Sequence, residues 1–324
     1  MPEHSSNRLT TATRVVSRHL SAISETFFVY NRWVGLVSVV LLAIAAPHLA
    51  VSAMVTSVLA RIVAARAGAA RTFVDSGLVE LNGWFLGLAC GTFFAVGPTL
   101  AVALVAGGLL AAGVSIVMNR LVATWDIPLM VGPYIPAFWI LSCALPAFPW
   151  FHAATLPIPT YEPGSQTLQV LIGGLRGLGE IFFLPDARVG VGLAIAASIA
   201  DWRLGPAMIG ASVASVGMGY LAGAPLWQVQ QGLAGFTPAL MAVAALRRFS
   251  GLGPAAVVIA IVANPLLEAG ALRFGNVIGL SALSVTYVAL VWGFALVRPV
   301  RDAGAARGGW SMGTRSRGAN ESRW

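Results

Sequence analysis

Two glutamates interrupt otherwise apolar sequence, and each is followed three residues later by a phenylalanine: Glu25 with Phe28, and Glu180 with Phe183. A carboxyl group within an apolar membrane segment is costly to bury, so such a residue is a candidate functional site. Residues three apart share a face of a helical turn, so each acid is expected beside its ring. Each pair therefore offers a hydrogen-bond acceptor next to a flat apolar surface. A structural role remains open, in which the acids bind backbone amides of broken helices and the rings are ordinary packing residues.

Two further pairs of large apolar residues are spaced four apart and share a helix face in the same way: Leu81 with Phe85, and Phe236 with Leu240. Facing rings form a slot that fits a planar molecule. Backbone carbonyl groups of interrupted helices can add a series of hydrogen-bond acceptors along such a slot. Together these groups could replace the hydration shell of a small, flat, uncharged solute.

The composition indicates that the elements positioning these side chains lie in lipid. Hydrophobic residues make up 57% of the 324 residues, charged residues only 10%, and the mean hydropathy is +0.81. A soluble domain carries roughly 25% charged residues. The apolar runs are long and apolar on all faces, unlike the short alternating strands of a membrane β-barrel. We therefore predict an all-α integral membrane protein with about ten transmembrane helices.

The positive charge of the chain is explained by membrane orientation. The formal net charge is +8, and all 20 basic residues are arginines that concentrate in the tails and between apolar runs. Positively charged segments remain on the cytoplasmic side, so both termini of this multi-pass protein are expected in the cytoplasm of a cell with the protein in its inner membrane. A nucleic-acid partner is not expected.

The most informative pattern is an internal repeat. Residues 24–28 recur as residues 179–183, an offset of 155 (180 − 25 = 155). The same offset pairs Gly35 with Gly190, and the dipeptide at 77–78 with that at 232–233. Internal repeats of this kind are typical of transporters that place a solute path between two halves.

The repeat predicts the domain organisation. We expect a tail at 1–7, a first membrane repeat at 8–150, a linker at 151–164, a second repeat at 165–298 and a disordered tail at 299–324. If about ten spans divide equally between the halves, each half contains five spans, which is an odd number. An odd number inverts the second copy relative to the first.

These segments resemble the urea transporter family over nearly the whole chain apart from the tails. The resemblance lies in three motifs, each present twice: residues 25–35 and 180–190, 77–83 and 232–238, and 131–134 with a weaker copy at 281–284. It implies that each half has five spans and one re-entrant half-helix. It also implies a homotrimer in the lipid bilayer, with one pore in each subunit and urea or a similar small neutral solute as its cargo.

The resemblance also implies roles for individual residues. Two acids would stand at the pore mouths, aromatic slots would follow, and small residues would face the centre. The implied pore residues are Glu25 and Glu180 at the mouths, Phe28, Phe183 and Phe236 in the slots, Leu81, Phe85 and Leu240 completing them, Ile181 beside Glu180, and Val131 and Ser281 at the centre. Because the family has threonines where this chain has Val131 and Ser281, a different small solute such as ammonia, a short amide or water is the alternative cargo.

Residues suited to catalysis or cofactor binding are sparse. The chain has no lysine, which excludes a P-loop ending in Gly-Lys, and its histidines lack the spacing of metal ligands. A membrane-embedded hydrolase would have to combine Glu80 or Glu180 with His48 or His152, which lie far apart in sequence. We therefore predict no catalytic residues, no metal and no cofactor, and a passive channel rather than an enzyme.

Overall fold

The computed structural model describes residues 3–125, 127–155, 164–247 and 253–297. These residues form fourteen α-helices and three 3-10 turns (Glu25–Phe27, Leu145–Ala147 and Glu180–Phe182), and their one β pairing is an isolated bridge between Phe94 and Ala153. The described part of the chain is thus all-α, as predicted. The helices are α1 Glu3–Ser24, α2 Arg32–Ala45, α3 Pro47–Arg66, α4 Arg71–Asp75, α5 Leu78–Phe93, α6 Pro98–Ala123, α7 Tyr134–Ala144, α8 Gln166–Gly179, α9 Ala187–Ala200, α10 Leu204–Leu221, α11 Leu226–Gln231, α12 Phe236–Arg247, α13 Gly253–Ile278 and α14 Val285–Val297.

Several of these helices are long and apolar enough to cross a membrane. Among the described residues, α3, α6, α10 and most of α13 qualify on their own, and two bent helix pairs raise the number to six if each pair is one span. The apolar helices α5, α7, α12 and α14 are shorter. The expected total of about ten spans and the inverted orientation of the halves therefore remain predictions.

The first bent pair consists of α1 with its 3-10 turn and α2, which meet at 83°. Phe28 follows the turn in the left-handed region, with φ 52°, which stops the helix. The Asn31 side chain then accepts a hydrogen bond from the Trp33 amide (2.9 Å) and caps α2. The repeated acid and phenylalanine thus lie where the helix breaks.

The second bent pair, α8 with its 3-10 turn and α9, meets at 71° and is built in the same way. Phe183 has φ 59°, and the Asp186 carboxylate accepts a hydrogen bond from the Arg188 amide (2.8 Å) to cap α9. Helix α9 begins 155 residues after α2 (187 − 32 = 155), and α13 begins 155 residues after α6 (253 − 98 = 155). The offset found in the sequence therefore recurs in the element boundaries.

Glycines bring the helices of each bent pair into backbone contact. A Cβ atom added at Gly35 would lie 1.8 Å from the Leu20 carbonyl oxygen, and one added at Gly190 would lie 1.9 Å from that of Leu175. A side chain cannot be accommodated at such distances, so only glycine permits α1 to pack on α2, and α8 on α9, at this separation. This close approach contributes to the angle between the two helices of each bent pair.

The two halves pack against each other through α2 and α9 and through aromatic rings at the helix breaks. The fully buried Phe182 ring lies 5.7 Å from the Trp84 ring and 6.2 Å from the Phe85 ring, both on α5 of the first half. The core of the molecule is therefore shared between the halves.

The predicted segment boundaries lie near helix ends in only some cases. Helix α1 already begins at Glu3, inside the predicted tail at 1–7, whereas α8 begins at Gln166, next to the predicted start of the second repeat at 165. Residues 156–163 of the predicted linker and the predicted disordered tail at 299–324 lie outside the described residues.

Candidate functional site

A narrow cavity lies where the helix breaks of the two halves meet. Its walls come from the turn after α1, from α5 and α12, and from the segments that precede α7 and α14. Of the eleven predicted pore residues, eight line this cavity, which we call the central cavity: Glu25, Phe28, Leu81, Phe85, Val131, Ile181, Phe236 and Leu240.

Residues at the repeat offset face the central cavity from α5 and α12. Leu81 is paired with Phe236, and Phe85 with Leu240, and all four side chains are buried. Each repeat pair contains one phenylalanine and one leucine, so the two halves contribute the same residue types in reversed order. Because each helix repeats every 3.6 residues, the spacing of four places both residues of a helix on the same wall. The result is an apolar part of the cavity lining with one ring from each half.

The first predicted mouth lies at the break after α1. The Glu25 side chain lies at the cavity wall and the residue is only 8% exposed, and its carbonyl oxygen accepts a hydrogen bond from the Phe28 amide (2.9 Å). The Ser24 hydroxyl accepts a hydrogen bond from the Asn31 amide (2.9 Å) and lies 2.8 Å from the Val29 carbonyl oxygen. These contacts hold the turn closed, so the acid and the ring are presented to the cavity together.

Asn82 on α5 positions the segment that carries Val131. Its side-chain amide donates hydrogen bonds to the carbonyl oxygens of Leu78 and Met130 (2.8 Å each), and its oxygen accepts one from the Tyr134 amide (3.0 Å). Asn82 is fully buried, so each of these bonds replaces hydration that the backbone groups lack. Met130 has φ 48°, and this turn brings Met130 and Val131 to the cavity.

The structure places Ser284, rather than the predicted Ser281, at the corresponding wall of the second half. Leu283 has φ 48°, as Met130 has, and the residue after each is the one that lines the cavity. Ser284 therefore follows Val131 by 153 residues (284 − 131 = 153) rather than by the repeat offset of 155. The reason is that the loop before α14 is shorter than the corresponding loop before α7. Ser281 instead contributes its carbonyl oxygen to a hydrogen bond from the Trp139 indole (2.9 Å).

Tyr134 links the two loops across the halves. Its hydroxyl group lies 2.7 Å from the Ser284 Oγ atom and accepts a hydrogen bond from the Ser284 amide (3.1 Å). Its ring also packs on Phe85 at a centroid distance of 5.4 Å. Tyr134, which is fully buried, therefore contacts both Ser284 and Phe85.

Glu180 and Phe183, the second predicted mouth pair, lie outside the cavity lining. Phe183 is half-buried, and its ring meets the Tyr134 and Phe93 rings edge-on, each at 6.4 Å. Glu180 begins the 3-10 turn, and the neighbouring Ile181 lines the cavity in its place. Glu25 therefore lines the central cavity, whereas Glu180 does not.

Five lining residues were not predicted: Thr26, Leu78, Met130, Ser284 and Tyr287. Two of them could have been predicted from their positions in the sequence. Leu78 precedes Leu81 by one helical turn, and Thr26 lies between the repeated acid and its phenylalanine. Met130 and Ser284 depend on the left-handed residues of two loops, and no helical or strand periodicity of the sequence indicates those.

Glu80, which the sequence offered as a catalytic acid, is engaged elsewhere. It is fully buried, forms an ion pair with Arg61, and is absent from the cavity lining. Arg61 also pairs with Asp75 (3.5 Å). This arrangement neutralises Glu80 and does not orient it toward a histidine. Within the described residues, no three His, Cys, Asp or Glu side chains group together as metal ligands.

The central cavity can therefore accept hydrogen bonds at Glu25 and at the hydroxyl oxygens of Thr26 and Ser284, and hold a flat apolar face against Phe85 and Phe236. A search of curated proteins found no match to this chain. A family model, described as urea transporter, matches residues 16–299 and so includes every residue that lines the central cavity. The chain belongs to the urea transporter family, a family of membrane transport proteins rather than enzymes.

Proposed function

We propose that this protein is a passive channel through which urea crosses the membrane by way of the central cavity. The observation that carries the proposal is the pair of repeat-related walls, Leu81 with Phe236 and Phe85 with Leu240, which close on a cavity whose one acid is Glu25. Urea is flat and rich in N–H donors, so rings can hold its faces while oxygen atoms bind its edge. No basic residue is present among the lining residues.

Passage requires that urea lose part of its hydration without a large free-energy barrier. A solute site in the membrane must bind strongly enough to admit the solute and weakly enough to release it. Glu25 and the two hydroxyl groups supply few polar contacts, and the apolar walls exclude hydrated ions. By repeat equivalence, Glu180 with Phe183 is proposed to serve the opposite mouth. The pathway then runs along the interface of two inverted halves.

Orientation and assembly complete the proposal. Both termini are proposed to be cytoplasmic because of the arginine-rich tails, with the protein in the inner membrane. A homotrimer is proposed because the family resemblance implies one and because α13 exposes a broad apolar face. That face includes Val258, Val262 and Leu266, which are 57%, 51% and 71% exposed in the single chain. Lipid or a second copy must cover it.

Stopped-flow light scattering on proteoliposomes tests the channel. We expect rapid urea-driven volume recovery that saturates weakly, with no accumulation of urea when a proton or sodium gradient is imposed. Leu240→Trp should abolish the recovery by filling the cavity. Leu246→Trp on the same helix should leave it unchanged, because Leu246 is 49% exposed and points away from the cavity.

The same assay addresses the alternative solutes. Ammonia, formamide and water are measured in the same vesicles, in the wild type and in both tryptophan variants. Equal inhibition of water and urea by Leu240→Trp, with a higher rate for water, would overturn the proposal in favour of a less selective pore. Accumulation of urea against its gradient would exclude a passive mechanism.

A further inference from the structure

A second, small cavity lies in the second half between α10, α11 and α13. We call it the lateral cavity. Its one charged lining residue is Glu268, which lies on α13 and is 6% exposed. The other lining residues are Val216, Gly219, Ala224, Gln228, Val229, Leu233, Ala234 and Pro265. A buried acid in a membrane helix is a candidate functional site.

The equivalent place in the first half is occupied by an arginine side chain. Val216 lies 155 residues after Arg61 (216 − 61 = 155). The Arg61 guanidinium donates a hydrogen bond to the Val74 carbonyl oxygen (3.3 Å) and pairs with Glu80. The counterpart of Val74 is Val229, which lines the lateral cavity. The second half therefore has open space where the first half holds a guanidinium group.

One hydrogen-bond acceptor without a donor in the described part of the chain lies beside the lateral cavity, on Asn264, which precedes the lining residue Pro265. One carboxyl oxygen of Glu268 accepts a hydrogen bond from the Thr286 hydroxyl (2.8 Å). Asn264, one turn before Glu268, donates to the Ala234 carbonyl oxygen (2.9 Å), and its own side-chain oxygen is buried without a partner among the described residues. Since buried acceptors are costly to leave unsatisfied, a ligand here should be rich in N–H donors.

The local charge favours a cation. Among the described residues, Glu268 is the one charged residue of the lateral cavity, whose lining contains no arginine. A buried carboxylate is stabilised by a charge-assisted hydrogen bond to a guanidinium, whose planar N–H groups match its two oxygens. Ala224 and Gln228 are half-buried next to the exposed residues 221–223, so the cavity can be reached from the α10–α11 connection.

We propose that the lateral cavity is a binding site for a small planar cation of the guanidinium class, which takes the place that Arg61 occupies in the first half. The site is distinct from the central cavity: Glu268 and Val216 do not line the central cavity, and the two cavities share no lining residue.

Calorimetric titration of guanidinium chloride into the purified full-length protein, at constant ionic strength, tests the site. We expect one guanidinium bound per chain, with tetramethylammonium, which has no N–H donor, unable to compete. Glu268→Gln should weaken binding about 10- to 150-fold, which corresponds to a lost hydrogen bond to a charged group. The matched control is Asp201→Asn, an acid of the same half that pairs with Arg247 (3.6 Å) and should bind as the wild type does.

Val216→Arg provides a second, independent test, because it recreates the arrangement of the first half. The new side chain should fill the lateral cavity, abolish guanidinium binding and raise the melting temperature. Leu240→Trp should retain guanidinium binding although it blocks the central cavity. Absence of binding to the folded wild type would overturn the proposal. Guanidinium binding with wild-type affinity in both Glu268→Gln and Val216→Arg would also overturn it, since binding would then occur elsewhere.

Discussion

The rings of Phe27 and Phe182 lie 6.5 Å apart at the centre of the molecule, and each is the repeat counterpart of the other (182 − 27 = 155). Both side chains are fully buried. Contact between two equivalent residues is the arrangement expected if the halves are related by an approximate two-fold axis, as the repeat predicts. The acid and the phenylalanine of each helix break lie immediately beside this contact in sequence, so the packing of the two rings fixes how the broken helices face each other.

Phe182→Ala should therefore destabilise the interface between the halves. Truncation of a buried phenylalanine costs about 3–5 kcal/mol, since contacts with Phe27 and Trp84 are lost and a cavity remains. Thermal unfolding in detergent, followed by circular dichroism, should show a clearly lower midpoint. Phe274→Ala is the control, because Phe274 is 64% exposed on α13. Equal midpoints for the two variants would contradict a central role of the ring contact.

Gly35→Ala should prevent α1 and α2 from packing as observed. The added methyl group would meet the Leu20 carbonyl oxygen at 1.8 Å, and backbone atoms cannot move away as a flexible side chain can. We expect a large loss of folded protein, measured as the monodisperse fraction in gel filtration. Gly210→Ala on α10 serves as the comparison, because nothing lies within 4 Å of its added Cβ atom. A normal yield of Gly35→Ala would show that the helices separate easily.

Asn82→Ala should release the segment that carries Met130 and Val131. Three hydrogen bonds are lost, and each buried group left without a partner costs about 1–3 kcal/mol. Urea flux per folded protein should fall, because the wall of the central cavity is no longer held. Thr124→Ala, at the exposed end of α6, is the control for polar truncation. Unchanged flux in folded Asn82→Ala would mean that the segment is positioned by other contacts.

Glu25→Ala should reduce urea flux while the protein remains folded. A carboxyl oxygen can accept an N–H group as urea sheds water, and loss of a hydrogen bond to a charged acceptor costs about 1.5–3 kcal/mol. This corresponds to roughly 10- to 150-fold in rate if the contact is fully expressed at the barrier. Glu25→Gln should be milder, because the amide oxygen still accepts. A loss of yield without a change in flux per folded protein would instead assign Glu25 a structural role.

Leu240→Ala should widen the apolar part of the central cavity and relax selectivity. With the leucine shortened, the space opposite Phe85 increases, so N,N′-dimethylurea should pass faster relative to urea than it does in the wild type. Leu246→Ala, on the exposed face of the same helix, should keep the wild-type ratio. The ratio of the two stopped-flow rates is the measurement. An unchanged ratio in Leu240→Ala would place the narrowest point of the pathway elsewhere.

The sequence by itself was sufficient for the features that depend on local spacing and composition. The long apolar runs identified the chain as a helical membrane protein, because backbone groups without hydrogen bonds and unpaired charges are excluded from lipid. The 155-residue offset identified the equivalence of Glu25 with Glu180. The spacing of four placed Leu81 and Phe85, and likewise Phe236 and Leu240, on common faces, and all four line the central cavity. Helical periodicity is a short-range property, so it can be read without knowledge of the partners.

Only the tertiary structure decided which residues of the loops reach the cavity. The left-handed conformations of Met130 and Leu283 aim Val131 and Ser284 inward, and the shorter second loop moves the lining position from Ser281 to Ser284. Glu80 and Arg61 are 19 positions apart, and no repeat or spacing rule pairs them. These outcomes depend on how separate elements approach one another. Long-range packing, rather than any local preference, therefore determined that Glu25 faces the central cavity while Glu80 is neutralised outside it.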